Sequence, residues 1–168
     1  MKLYEIAEAI EKRVPKEWAE PWDNPGLLAG ERGAEVEKIA VALDASPRTV
    51  ALAAERGCGL LVTHHPIIFR PVKSVVDDCH AGRTLLSAVK SGVALYAAHT
   101  NWDSSPEGVN FVLASELGLK NIEPLIPSQS GAWGLGAAGD LPRPVRLGAL
   151  GELLRERWNL SALSLHGN

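Results

Sequence analysis

The sequence has 168 residues, of which 46% are hydrophobic and only 5% aromatic. This length fits one domain, and the composition is sufficient for a core built mostly of aliphatic side chains. The net charge is −3, from 17 basic and 20 acidic residues, so the bulk charge does not favour a nucleic-acid partner. The bulk charge is nevertheless compatible with a local basic patch.

The sequence carries no signal for a membrane or for secretion. Its charged N-terminal segment lacks the apolar stretch of a signal peptide, and no run approaches the roughly 18 apolar residues of a membrane span. The two cysteines, Cys58 and Cys79, are far apart in the chain and are typical of reduced thiols. We therefore expect a soluble cytoplasmic protein.

Apolar runs alternate with helical patterns along the first two thirds of the chain. In chain order we predict a helix over 3–13, a loop over 19–30, a strand over 38–44, a helix over 47–56, a strand over 59–65, a long connection over 66–80, a helix over 81–91, a strand over 93–100 and a helix over 108–117. Continuous apolar strands that alternate with helices predict a parallel sheet with both faces covered.

The character of the chain changes after about residue 120. The Gly-rich segment 131–142 predicts an antiparallel hairpin or sheet edge, and a helix over 145–157 and a short strand over 161–165 follow. The predicted fold is α/β, a layered αβα arrangement with a mostly parallel central sheet and a Gly-rich antiparallel portion. We divide it into a metal-binding region, 1–120, and the start of the C-terminal part of the same fold, 121–168.

Polar side chains stand at the ends of the three predicted strands. The first strand ends in Asp44, the second in His64 and His65, and the third in a segment from His99 to Asp103. In an open parallel sheet, ligands bind beyond the carboxyl ends of the strands. Because these ends lie at one edge of the sheet, the sequence predicts a single candidate site there.

The adjacent histidines His64 and His65 are the most informative pair. Successive side chains of a strand point to opposite faces, but the backbone can turn at a strand end, and Pro66 favours an extended His65. Two imidazoles could then reach two metal ions about 3.5–4 Å apart, with Asp103 bridging them or completing one of them. Imidazole and carboxylate ligands suit zinc, manganese, iron or nickel.

Simpler interpretations stand beside this one. His99 alone could be a hydrogen-bonded side chain at a strand end, or it could orient a metal ligand. For Asp44 we favour a hydrogen-bond acceptor or a helix N-cap over a ligand. The segment 22–27 is either a structural turn or a loop folded over the site. His80 and His166 are predicted to be surface residues.

Four segments together carry a family resemblance. In order, they are WDNPGL (22–27), IAVALDAS (39–46), LLVTHHPIIF (60–69) and YAAHTNWDSSPEGVN (96–110). They resemble the Nif-three-like dinuclear metal-centre family, the GTP cyclohydrolase 1 type 2 homologues. The resemblance implies a mixed αβα fold, two divalent metal ions and closed homo-oligomers, often hexameric rings. Carried over residue by residue, it implies His64, His65 and Asp103 as metal ligands, with His99 close by.

The sequence departs from the family pattern in two respects. Trp102 stands where the family more often has an aliphatic residue. The family also implies a further His and Glu ligand in a segment that would lie beyond residue 168, so we expect the family's C-terminal segment to be lacking. His166 is not in the corresponding motif.

Our first functional hypothesis is a two-metal hydrolase acting on a nucleotide or phosphoester, with His99 the candidate general base by its position. The alternative is a non-catalytic metal-binding scaffold or interaction protein. A nucleic-acid-binding ring is a third hypothesis, which the bulk charge does not favour. The sequence has no P-loop, no GxGxxG and no nucleophile elbow.

Overall fold

Four short strands form the central sheet of the N-terminal part of the chain. The computed structural model describes residues 1–167, and in it the sheet has the order β1-β4-β3-β2. Strands β2, β3 and β4 are parallel, and β1 is antiparallel to β4. The strands are β1 (Gly26–Ala29), β2 (Ile39–Ala42), β3 (Leu60–Thr63) and β4 (Ala94–Ala97). The predicted mostly parallel sheet is confirmed.

Four helices accompany this sheet, and three of them were predicted within two residues of their bounds. They are α1 (Leu3–Arg13), α2 (Pro47–Glu55), α3 (His80–Ser91) and the one-turn α4 (Thr100–Asp103). Ser46 caps α2 by accepting a hydrogen bond from the Thr49 backbone N–H at 3.1 Å. Gly92 ends α3 in the left-handed conformation, with φ +67°, which glycine adopts at little cost.

Alternate residues of each strand pack on opposite faces of the sheet. In β3, Leu60 belongs to the apolar cluster around α1, whereas Leu61 belongs to the cluster around α2 and α3. In β4, Tyr96 and Leu95 divide in the same way. Helices therefore cover both faces of the sheet, which gives the three layers of an αβα arrangement.

Antiparallel pairing characterises the C-terminal part of the chain. Strand β5 pairs with β8, and β6 pairs with β7. The elements are α5 (Val109–Glu116), β5 (Lys120–Glu123), β6 (Ile126–Pro127), β7 (Gly134–Leu135), β8 (Ala138–Asp140) and α6 (Leu147–Arg157). The Gly-rich segment is thus antiparallel, as predicted, but its two strands pair with earlier strands rather than with each other. Gly134 permits this, because a Cβ there would lie 2.2 Å from the Ile126 carbonyl oxygen.

Two sequence-based predictions of local structure are wrong. The predicted loop over 19–30 contains β1, a four-residue strand between turn residues that is defined by its pairing with β4. The strand predicted over 161–165 is not formed. Leu165, at the end of this segment, instead lies against α6 at Gly151. A Cβ at Gly151 would be 2.6 Å from a Leu165 methyl carbon. An alternation of Ser and Leu signals a strand only where a partner edge exists.

The described chain separates into two compact units, the first ending at Ser105 and the second beginning at Pro106. The division after residue 120 was drawn from composition and function and stays a prediction. Within residues 1–167, no helix combines the length and the apolar character that crossing a membrane requires.

Candidate metal centre

The parallel pairing of β3 and β4 brings three histidines together. Thr63 and Ala97 are paired in register at the ends of these strands. His64 and His65 follow directly after β3, and His99 follows β4 by two residues. A potential ligand nitrogen from each of the three lies within 4.8 Å of the others. This group, which includes both histidines of the predicted pair, could hold a metal ion.

A sharp turn after β3 places the neighbouring His64 and His65 rings on the same side. The Thr63 hydroxyl donates to the His65 carbonyl oxygen at 3.0 Å, and the His65 N–H donates to the Leu43 carbonyl oxygen at 3.1 Å. The two imidazole centroids are 4.9 Å apart. In a regular strand, successive side chains would lie on opposite faces of the sheet. That alternation has therefore ended before His64.

Each of the three imidazoles has its Nδ1 atom beside an oxygen acceptor. His64 Nδ1 lies 3.1 Å from the Ala98 carbonyl oxygen, His65 Nδ1 2.7 Å from Asp44 Oδ1, and His99 Nδ1 2.9 Å from Asp23 Oδ1. A carbonyl or ionised carboxylate oxygen only accepts, so each Nδ1 carries the proton. With Nδ1 as the donor, Nε2 is the ring nitrogen that can bind a metal ion, the arrangement that metal-binding histidines commonly show.

Asp103 lies at the edge of the histidine group. Its Oδ1 is 3.7 Å from His64 Nε2, and its backbone N–H donates to the His99 carbonyl oxygen at 3.0 Å, across the single turn of α4. The turn therefore brings a carboxylate next to a potential ligand nitrogen. The role of Asp103 as a ligand stays a prediction that this placement supports.

Asp23 is the site residue that sequence reasoning missed. Its side chain is fully screened from solvent, its Oδ1 holds His99, and its Oδ2 accepts hydrogen bonds from the backbone N–H and the hydroxyl of Thr100. Burial by itself raises the pKa of Asp23, but the bonds from Thr100 and His99 outweigh it and lower the pKa below its ordinary value. The only sequence signal was an Asp inside WDNPGL, and the structure supports the interpretation of that segment as a loop folded over the site.

The remaining polar candidates have other positions. Asp44 is 62% exposed and accepts from His65, whereas Ser46, not Asp44, caps α2. His80 begins α3, and its Nε2 lies 3.2 Å from the Ala45 carbonyl oxygen. His166 is exposed. Among the described residues, the group that could hold a metal ion consists of His64, His65 and His99.

The whole chain, residues 1–168, matches the family model described as Duf34/NIF3 (NGG1p interacting factor 3). The chain belongs to the NIF3 family. A Clostridium perfringens relative named GTP cyclohydrolase 1 type 2 homolog is 40% identical over 119 residues, which are 71% of this chain and 45% of the relative. A Streptomyces coelicolor relative of the same name is 36% identical over 159 residues, which are 93% of this chain and 56% of the relative. The chain therefore spans about half the length of these curated relatives.

Solved structures show the same fold. The crystal structure of a Staphylococcus aureus protein superposes with a TM-score of 0.89 at 26% identity, covering 96% of this chain and 66% of that one. A Bacillus cereus protein described as related to NIF3 gives a TM-score of 0.71 at 37% identity, over 76% of this chain and 36% of that one. The family resemblance drawn from the motifs is confirmed by these matches.

Proposed function

We propose that His64, His65 and Asp103 bind divalent metal ions, two per complete site, and that the site serves a hydrolase acting on a nucleotide or phosphoester. The single observation that carries this proposal is the shared orientation of the imidazoles. All three have Nδ1 held by an oxygen acceptor, which leaves Nε2 to bind a metal ion in His64 and His65 and to accept a proton in His99. This is the orientation that metal-ligating histidines commonly adopt.

The donor set suits zinc, manganese, iron or nickel. Divalent ions at such a site lower the pKa of a water molecule and polarise a phosphoryl or carbonyl oxygen. The contribution of the chain is to hold the ligand rings in fixed orientations. The oxygens of Ala98 and Asp44 do this for His64 and His65, and the negative charge of Asp103 lies 3.7 Å from the Nε2 atom of His64.

His99 is proposed as the general base. Its Nε2 accepts a proton, and the resulting imidazolium is stabilised through Nδ1 by the buried carboxylate of Asp23, 2.9 Å away. His65 also faces a carboxylate, but Asp44 is 62% exposed, whereas the Asp23 side chain is fully buried. The Asp23–His99 pair is therefore the one that water screens less.

The relatives suggest a substrate class, an assembly and a place in the cell. Those in Clostridium perfringens and Streptomyces coelicolor carry GTP cyclohydrolase in their names, which favours a nucleotide. The family resemblance supports a closed homo-oligomer, often a hexameric ring, and the cytoplasmic location stays the expectation drawn from the sequence. Sedimentation of the purified chain tests the oligomer directly, and a monomer at micromolar concentration would contradict it.

Elemental analysis of the purified chain tests metal binding. We expect divalent metal in the wild-type chain, up to two ions per chain, and none in a His64→Ala/His65→Ala variant. The matched control is His80→Ala, because His80 is a histidine outside the cluster. Equal metal content in the double variant and the wild type would contradict the assignment.

Assays of GTP ring opening and phosphodiester hydrolysis test the enzyme hypothesis separately. We expect turnover in the metal-loaded chain that exceeds that of the double histidine variant. Full metal content with no turnover in either assay would instead favour the metal-binding scaffold, a role in keeping with the name interacting factor in the family description.

A further inference from the structure

Two aromatic side chains beside the histidine cluster are exposed. Trp22 is 56% exposed and Phe69 is 46% exposed. Their ring centroids are 5.6 Å apart and lie 6.3 Å and 6.4 Å, respectively, from the His99 ring. The two rings thus form a continuous aromatic surface that begins at the candidate metal centre. Exposed aromatic rings grouped at a polar site are a feature of ligand recognition rather than of core packing.

The segments that carry these rings are fastened to each other and to the site. The Asn24 side-chain N–H donates to the Ile68 carbonyl oxygen at 2.6 Å, which joins the residues next to Trp22 and Phe69. Asp23, adjacent to Trp22, is held by His99 and Thr100. The backbone segments that carry both rings are therefore joined before any ligand arrives, which reduces the entropy lost on binding.

The angle between the rings determines how a ligand can use them. Their planes are tilted by 48° and their centroids are 5.6 Å apart. A third ring between them would need about 7 Å, two contact distances of about 3.5 Å each. A flat ligand therefore cannot insert between the rings, but it can stack on the exposed face of one and meet the other edge-on.

We propose that Trp22 and Phe69 form a platform that binds a planar heteroaromatic ring of the substrate beside the metal centre. The proposal rests on the proposed function, which places the reacting group of the substrate at the metal centre. It adds that Trp22 and Phe69 determine which substrates bind. A substrate with a flat ring gains stacking energy at this surface, whereas a phosphoester without one gains none. Within the two substrate classes proposed above, the platform selects the nucleotide.

The test compares binding of adenosine 5′-monophosphate and ribose 5-phosphate, which share the sugar phosphate and differ in the ring. Calorimetric titration of the metal-loaded chain should show tighter binding of the nucleotide. Because stacking tolerates any base, we expect Trp22→Ala and Phe69→Ala each to weaken nucleotide binding roughly 5- to 150-fold. Binding of ribose 5-phosphate should be unchanged. Tyr4→Ala is the control, because Tyr4 is an exposed aromatic residue on α1.

A second readout and conservative variants separate recognition from structure. Stacking should quench the fluorescence of Trp22, one of five tryptophans in the chain, and Trp22→Phe should remove the quench while retaining most of the affinity. Equal affinity of the wild type for the two probes would overturn the platform, and so would loss of bound metal in Trp22→Ala. If the ring preference persists in a chain that lacks turnover, the platform stands and the hydrolase hypothesis falls.

Discussion

The carboxylate of Asp23 connects three parts of the site. One oxygen orients His99, and the other accepts both the backbone N–H and the hydroxyl of Thr100 at the start of α4. These bonds keep the charged form of a side chain that is fully screened from solvent. A residue of this kind affects the site through the groups that it holds in place, so its removal should alter both stability and turnover.

Asp23→Asn should lower the stability of the protein, although the amide has nearly the same shape as the carboxylate. The amide NH2 group would face the Thr100 N–H or the His99 N–H and leave a buried donor unsatisfied, which costs about 1–3 kcal/mol. We also expect turnover to fall by up to roughly 10²- to 10⁴-fold, because the proposed general base His99 loses the group that orients it, while the metal content stays that of the wild type. Urea denaturation and a hydrolysis assay measure the two effects. Asp44→Asn is the control, since Asp44 is exposed, and its stability change should stay within about 0.5 kcal/mol.

His99→Ala distinguishes the two roles available to that ring. If His99 is the general base, the variant should retain the metal content of the wild type and lose roughly 10²- to 10⁴-fold in turnover. Atomic emission and a hydrolysis assay on the same preparation provide both values. Loss of metal equal to that of His64→Ala would show that His99 is a ligand instead.

At the scale of elements, the start of α3 is packed unusually closely against the connection that precedes it. A Cβ at Gly82 would lie 1.8 Å from the Val76 carbonyl oxygen and 2.9 Å from its carbon. The connection, which also carries Phe69, can therefore approach the helix backbone only because residue 82 has no side chain. The one-turn helix α4 also positions part of the site, since its four residues place Asp103 beside His64.

Gly82→Ala should destabilise the protein by about 1–3 kcal/mol, because backbone atoms must move to admit the methyl group. This cost exceeds the roughly 1 kcal/mol that alanine gains over glycine inside a helix. Gly148→Ala in α6 is the matched control. Nothing lies within 4 Å of its added Cβ, so it should be neutral or slightly stabilising. Thermal unfolding of both variants checks the prediction, and equal midpoints would contradict it.

At the scale of the whole molecule, the proposed metal binding would be linked to folding. The adjacent His64 and His65 lie more than 30 residues from His99 and Asp103 in sequence, so the proposed site exists only in the folded chain. A metal that binds only this state stabilises it by about 2.7 kcal/mol at a free concentration 100-fold above Kd. The size of this stabilisation depends on the affinity for the metal and on its free concentration.

Titration with zinc should therefore raise the midpoint of thermal unfolding, and a chelator should reverse the rise. The His64→Ala/His65→Ala variant should unfold at the same temperature with and without zinc, whereas His80→Ala should respond as the wild type does. Differential scanning fluorimetry measures all three. A rise in the double variant equal to that of the wild type would show that zinc acts elsewhere.

The sequence by itself determined the alternation of helices and apolar strands, because side-chain periodicity and the caps at Ser46 and Gly92 act over a few neighbouring residues. It also predicted that His64, His65, His99 and Asp103 lie together, since parallel strands end at one edge of a sheet. Only the tertiary structure decided that β1 pairs with β4, that Asp23 holds His99, and that Trp22 and Phe69 meet. These contacts join segments distant in sequence. No local pattern encodes them, because their energy comes from partners that the chain meets only after folding.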